Sequence, residues 1–434
     1  MKILIISSYF GPETSVGVLR VNAFANHWSR LGHEVHVLTM PFAGEMPDGL
    51  RDNPLVKVHQ IAPWLIRGGQ TGGVQGYSKG VKGWRKALLS FQYSLKRRLL
   101  SNYLDPRLLW WPRAAMIGRR LLKAERFDVL YSTVPSYTAH SAAALIKRSS
   151  RKLFWVADYR DLWSGNPIFP GCAPVRLFER WHERTVLARA DLICSINQPL
   201  IDELRALHGT RDYLVLPNGF EDREVDVFRD AMQVSLPARV NIIYAGSVLP
   251  GLQNPTPLLL TIRELAAAGA IGEGDLCVSF YGDHAALDDF PIARDPQVAP
   301  FIKLCGKMPR QDILAVQKSA EFLLFLGSQP VAEGFGSTKG VVSGKIFEYL
   351  ISGTEVLAVG VTDDMLVAEM LRQARVGTHY AADVGKIRQR LLAAVNGETG
   401  KVQPNMEYLN QFRRSVQAAA LITQVRKLKG AGRP

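Results

Sequence analysis

The stretch Lys339-Gly-Val-Val-Ser-Gly-Lys-Ile-Phe-Glu-Tyr-Leu350 puts two lysines, a carboxylate and two glycines into one short segment. Ser343 suits a helix N-cap, and Gly344 lets a ligand approach closely. A helix starting near Gly344 would offer free N–H groups and a positive dipole end to an anion. Lys345 adds a full charge at that point, and Lys339 can add another from the preceding loop. Glu348 follows Lys345 by one helical turn, about 4.5 Å along the axis. Phosphates at the helix tip and a sugar diol on the carboxylate would use all of these groups. A Lys–Glu pair on an ordinary amphipathic helix has the same spacing, so both readings stand.

Two further clusters carry polar chemistry. Asp158-Tyr-Arg-Asp-Leu-Trp163 follows an apolar run directly, and charged residues at the end of a parallel strand face the ligand side of the sheet. Asp158 and Asp161 could then act as acid and base, with Arg160 orienting them or binding phosphate. The competing reading is an internal Arg–Asp pair that caps the next helix. The loop Tyr9–Gly17 lies between a first strand and a first helix, a phosphate-binding position in doubly wound folds. It is neither GxGxxG nor GxxxxGK[ST], so it specifies no dinucleotide and no P-loop nucleotide. Gly17 is equally readable as a turn glycine.

The elements that must hold these groups alternate between strand and helix. Ile3–Ser8, Glu34–Thr39, Phe127–Ser132, Leu153–Ala157, Asp191–Ile196 and Tyr213–Leu216 read as strands buried on both faces. Val18–Leu31 has helical spacing and ends at Gly32. Leu216-Pro-Asn-Gly219 is a turn cluster, and Phe220–Pro237 is polar without clear periodicity, so a domain boundary is expected here. A second set follows, with strands at Val240–Ala245, Leu276–Tyr281, Phe301–Leu304, Phe322–Leu326 and Glu355–Val359. Helices fall at Pro257–Ala268, Arg310–Ser319 and Lys345–Ser352, and Met406–Lys429 is a last helical stretch. The fold class is therefore α/β, with two Rossmann-like doubly wound domains facing an interdomain cleft.

Composition narrows the partners. The chain has 434 residues, 47% hydrophobic and 21% charged, with a net charge of +14. This is globular, not disordered or fibrous. Cys172, Cys194, Cys277 and Cys305 lie far apart, without the spacing of a disulfide framework or a zinc site. The opening MKILIISSYFGPE is too short in its apolar run for a secretory signal, so a cytoplasmic protein is expected. Residues 67–126 hold 14 Lys/Arg against two acids. Within them Trp84, Leu88, Phe91, Leu95 and Leu99 form a helical stripe flanked by Lys82, Arg85, Lys86, Lys96, Arg97 and Arg98. Such a helix suits an anionic membrane surface, and equally a helix packed on its own domain with a solvated basic face. No nucleic-acid module accompanies the charge, so no nucleic-acid partner is expected.

Several stretches occur in an order and spacing that resemble bacterial retaining glycosyltransferases of family 4, which have the GT-B fold: KILIISSYFGPE, GHEVHVLT, DPRLLWWP, YSTVPSYTAH, WVADYRDLWSG, ADLICSIN, LPNGF, IIYAGS and SGKIFEYLISGTEVLAVG. The resemblance covers about residues 1 to 425. It implies an N-terminal acceptor-binding domain (1–218) and a C-terminal nucleotide-sugar domain (219–405). A final helix (406–434) would cross back to the first domain. It places the donor diphosphate at Ser343, Gly344 and Lys345, the ribose on Glu348, and the base near Lys307 and Met308. Ser247 would line the donor site after the YAGS strand, Gly17 would let the first loop approach the diphosphate, and Asp158–Asp161 would lie near the transferred sugar.

Two departures stand out. The family often has two glutamates with seven residues between them. Here Gly340 matches the first, and Glu333 is fifteen positions before Glu348. Many relatives have a basic residue after the YAGS strand, where this chain has Gln253. Lys345, with Lys339 or Arg160, would then carry the diphosphate stabilisation. The implied activity is metal-independent transfer of a hexose or N-acetylhexosamine. The donor would be a nucleoside-diphosphate sugar, with UDP expected, and it serves as co-substrate, with no cofactor. The acceptor would be a glycan or lipid-linked precursor of cell-surface polysaccharide, met on the inner face of the cytoplasmic membrane. Sugar-nucleotide 2-epimerases share the architecture, and a catalytically degenerate nucleotide-binding relative is a further alternative.

Overall fold

The computed structural model of the chain describes residues 1–12, 15–63, 99, 101, 109–134, 137–166, 171–248, 252–282, 287, 289–328, 342–398 and 401–431. The chain forms two compact units, one of Met1–Pro217 with Gln417–Pro434 and one of Asn218–Val416.

The first unit is built on strands β1 (Lys2–Ile6), β2 (Glu34–Thr39), β3 (Val56–Gln60), β4 (Val129–Val134), β5 (Phe154–Tyr159), β6 (Leu192–Ser195) and β7 (Tyr213–Val215). They form one sheet in the order β3-β2-β1-β4-β5-β6-β7, and every pairing is parallel. Ile3, Leu4, Ile5 and Ile6 are all fully buried, because helices cover both faces of such a sheet. The helices of this unit are α1 (Val16–Arg30), α2 (Trp111–Ala124), α3 (Thr138–Lys147), α4 (Ala173–Leu187) and α5 (Gln198–His208).

The second unit repeats the plan with β8 (Val240–Ala245), β9 (Leu276–Tyr281), β10 (Ile302–Gly306), β11 (Phe322–Leu326), β12 (Glu355–Val359) and β13 (Gly377–His379). Their order is β10-β9-β8-β11-β12-β13, again with parallel pairings. Its helices are α6 (Asp222–Asp230), α7 (Thr256–Ala267), α8 (Arg310–Ser319), α9 (Lys345–Ile351), α10 (Leu366–Ala374), α11 (Val384–Val395) and α12 (Met406–Leu409).

The sheets and their switch points are those of the GT-B class expected from the sequence. Three local readings need correction. Phe220–Pro237 is not featureless: Glu221 and Glu224 form a reciprocal capping box that opens α6. The tail is not one helix from Met406. It is α12, a 3₁₀ turn at Asn410–Phe412, and then α13 (Arg414–Gly430). From Gln417 onward α13 belongs to the first unit, where Ala418, Leu421, Ile422 and Val425 share an apolar layer with Val21, Phe24 and Trp28 of α1. Trp28 Nε1 donates to the Ala418 carbonyl at 3.0 Å. Finally, β3 and β13 extend the two sheets at their edges. Among the described residues no helix is long and apolar enough to cross a membrane.

Candidate functional site

In the second unit the chemistry gathers where β8 ends and α9 begins. Ile346, Phe347, Tyr349 and Leu350 are buried and seat α9 against the sheet. Tyr349 Oη accepts the Ala245 N–H at 3.1 Å, which ties α9 to the last residue of β8. This placement brings Lys345 over the Tyr244 ring, with Nζ 3.7 Å from the ring centroid. Nζ is shielded from solvent and has no hydrogen-bond partner among the described residues. Burial pulls its pKa from 10.5 down to about 7, although the Glu348 charge one turn away works in the opposite direction. Beside Nζ stands Gly246, at φ +125°, where a Cβ would sit 3.2 Å from the ammonium nitrogen. A side chain there would be strained and would crowd the lysine. The arrangement is a desolvated amine with no hydrogen-bonding anion among the described residues.

Tyr244 also explains the residue that departs from the family pattern. Its Oη lies 3.0 Å from the Ser247 carbonyl and 3.0 Å from Gln253 Oε1. Gln253 Nε2 donates to the Leu326 carbonyl at 3.3 Å. Gln253, where the resemblance implies a basic residue, is buried and links β8 to β11. Ser247 is exposed just beyond Gly246, and Lys307 and Met308 are exposed just beyond β10. All three stand past the carboxyl ends of their strands. Ser343 does not cap α9: Gly344 takes the cap position with helical φ and ψ, so the turn has already closed there. Glu333 and Lys339, and the basic residues Lys82, Arg85, Lys86, Lys96, Arg97 and Arg98, lie outside the described residues.

In the first unit the Asp158 cluster changes its meaning. Asp158 is fully buried in β5. Arg20 Nη2 meets its Oδ1 at 2.9 Å and Arg20 Nε meets Oδ2 at 3.2 Å. Tyr131 Oη and Thr133 Oγ1 donate to Oδ2 at 2.6 and 2.8 Å. Burial alone would raise the Asp158 pKa, but the Arg20 cation and these donors hold it below the usual carboxylate range. With both oxygens occupied by internal donors, Asp158 has no free face for proton transfer, which corrects its expected acid–base role. Its partner is Arg20 of α1, which also donates to the Leu216 and Pro217 carbonyls at 2.9 and 2.6 Å. The pair joins α1, β5 and the end of the unit's chain.

Arg160 and Asp161 are placed differently. Arg160 is buried, and its Nε donates to the Val134 carbonyl at 2.7 Å. Its Nη2 has no hydrogen-bond partner among the described residues. Burial lowers its pKa, against the opposing pull of the Asp161 and Asp158 charges. Asp161 is exposed just past β5. Gly17 is the second residue of α1, not part of a loop. A Cβ there would collide with Arg160 Nη1 and sit 2.8 Å from Nη2. The absence of a side chain at Gly17 is thus what admits the guanidinium to the first turn of α1. Arg20, Tyr131, Thr133 and Tyr244 are the neighbours of these candidate residues that spacing along the chain does not reveal. The signal for Arg20 was available: it stands four residues before buried Phe24, on the apolar face of its helix.

A cavity of about 1380 Å³ opens at the opposite, amino-terminal edge of the first sheet, lined by Arg126, Arg151 and Lys152 among others. It touches none of the residues above. Among the described residues Glu34, His36 and Glu125 stand close enough to share a cation, but lysines already occupy both carboxylates. Lys57 Nζ and Lys2 Nζ reach Glu34 at 2.8 and 3.0 Å, and Lys2 also pairs with Glu125.

Residues 17–219 match the family model described as a glycosyl transferase 4-like domain. Solved structures share the fold over nearly the whole chain. Sucrose-phosphate synthase from Thermosynechococcus elongatus is 13% identical, with a TM-score of 0.58 over 99% of this chain and 100% of its own. The lipopolysaccharide outer core galactosyltransferase WaaB is 14% identical, with a TM-score of 0.57 over 98% and 99%. A UDP-forming trehalose-phosphate synthase from Burkholderia vietnamiensis is 13% identical, with a TM-score of 0.60 over 99% and 100%. No curated protein matches the chain in sequence.

Proposed function

We propose that the chain is a retaining glycosyltransferase. It takes a hexose or N-acetylhexosamine from a nucleoside-diphosphate sugar, with UDP as the nucleotide, and attaches it to a hydroxyl of a glycan or lipid-linked saccharide precursor of cell-surface polysaccharide. The observation that carries this reading is the desolvated Lys345 Nζ beside Gly246 just past β8, without a hydrogen-bond partner among the described residues. A diphosphate is the anion that such a cation suits, and Glu348 is placed one turn on for a ribose diol. The bond between the sugar C1 and the diphosphate oxygen breaks. The acceptor oxygen forms the new bond to C1 on the face the leaving group vacates, and its proton passes to the departing diphosphate. Lys345 stabilises the charge that develops on that diphosphate. No metal is part of this reading.

The match of residues 17–219 to a glycosyl transferase 4-like domain supports the class of reaction. The basic stretch 67–126 would hold the enzyme on an anionic inner membrane beside a lipid-linked acceptor. Turnover of Lys345→Ala with donor and acceptor tests the reading, and a loss of about 10²–10³-fold is expected. Turnover near the unmodified level would contradict it. The same assay without acceptor separates transfer from epimerisation, which would yield an altered sugar nucleotide with no acceptor present.

A further inference from the structure

Helix α4 is amphipathic in the inverted sense. Its two acidic residues point inward: Glu179 is 0% and Glu183 1% exposed. Glu179 accepts from Ser101 Oγ at 3.0 Å, and Glu183 from Tyr159 Oη at 2.8 Å and the Ser164 N–H at 2.9 Å. Three large apolar side chains point outward, with Leu177 69%, Phe178 51% and Trp181 60% exposed, while Val186 and Leu187 in the last turn are buried. The Phe178 and Trp181 rings lie side by side, with centroids 5.7 Å apart. At 100° per residue, Arg180, Arg184, Leu177, Trp181 and Phe178 share one outward arc of roughly 160°. Arg176 borders it, and all three arginines are exposed. The next helix, α5, shows the ordinary arrangement, with Ile201 and Leu204 buried.

We propose that this face of α4 docks on an anionic lipid surface, seating Leu177, Phe178 and Trp181 among the acyl chains and the arginines at the headgroups. Amphipathic binding to a membrane interface needs this pairing of apolar and cationic side chains. Charge selects the occupant. No carboxylate of α4 is left on the exposed face. A second copy of this chain, itself at +14, would bring arginine against arginine. The inference rests on the membrane step of the proposed function and gives that step an apolar contact.

Co-sedimentation of the full chain with vesicles tests it, using phosphatidylcholine alone and phosphatidylcholine mixed with phosphatidylglycerol. The unmodified chain is expected to bind the mixed vesicles. The triple variant Leu177→Ser, Phe178→Ser, Trp181→Ser is expected to lose at least about tenfold in partitioning. The variant Arg176→Gln, Arg180→Gln, Arg184→Gln is expected to lose up to about 100-fold on the anionic vesicles. Unchanged melting temperatures check the fold, since every substituted side chain is exposed. A third variant neutralises Lys82, Arg85, Lys86, Lys96, Arg97 and Arg98. Binding lost in that variant but kept in both α4 variants overturns the α4 proposal while the membrane reading survives. Failure of the unmodified chain to bind either vesicle overturns both. Self-association that disappears in the triple serine variant overturns the proposal in favour of a second copy.

Discussion

Replacing Lys345 with methionine should make the protein more stable while disabling it. A lysine whose pKa falls from 10.5 to about 7 on folding carries a penalty for its charged form. At about 1.36 kcal/mol per pKa unit the full penalty is roughly 5 kcal/mol, an upper bound because relaxation and water entry reduce such costs. The sign follows from proton counting. Between pH 7 and 10.5 the unfolded chain holds this proton and the folded chain does not, so stability rises with pH through that window. Below pH 7 both states are protonated and the penalty is complete. Methionine keeps the stem that packs over Tyr244 and removes the charge. The variant should therefore gain about 1–4 kcal/mol at and below neutral pH. At about pH 9 less than half of that gain should remain. Urea unfolding at several pH values, with the transition of each unit fitted separately, measures this. A variant less stable than the parent near neutral pH, or a gap that does not change with pH, would refute the reasoning. The same variant should lose nucleotide affinity, the usual relation between a strained functional group and stability.

Other outcomes follow from the first unit. Arg20→Met strands the buried Asp158 carboxylate and should cost about 3–5 kcal/mol in unfolding free energy. Adding Asp158→Asn should recover part of it, and a double variant no better than the single would remove the ion pair from the explanation. Gly17→Ala forces Arg160 away from α1 and should cost about 1–3 kcal/mol. It should also reduce turnover more than Asp161→Asn does. Equal turnover in the glycine variant and the parent would show that the Arg160 position does not matter to the reaction.

The parts of the fold that were legible share a physical cause. β8, β9, β11 and β12 were read to the residue because strands buried on both faces are continuous apolar runs. β3 and β13 were missed because each lies at a sheet edge, where one flank is open and polar residues such as Lys57 and His379 are admitted. α6 was missed because its apolar face is small, although Glu221 and Glu224 announced its start. For the candidate site, residue type and spacing singled out Lys345 and Glu348 but left an ordinary Lys–Glu helix pair open. They could not show that Lys345 would be buried with no hydrogen-bond partner among the described residues, which depends on Tyr244 and Gly246 about a hundred residues earlier. Asp158 illustrates the other limit. Its neighbour in sequence, Arg160, stands just past the end of β5, yet its partner is Arg20, brought by the packing of α1 on the sheet. No spacing rule reaches across that separation.

The proposed function makes Lys345 the anion end of a nucleotide-sugar site. Calorimetric titration of UDP, GDP, ADP and their common sugars near pH 7, in two buffers with different heats of ionisation, tests it most directly. The anion should return Lys345 to its protonated form, so one nucleoside diphosphate should bind with an uptake of about half a proton per site. In Lys345→Met, folded and more stable than the parent, both the binding and the proton uptake should disappear. Binding of the same strength in that variant, or no proton uptake in the parent, would contradict the account.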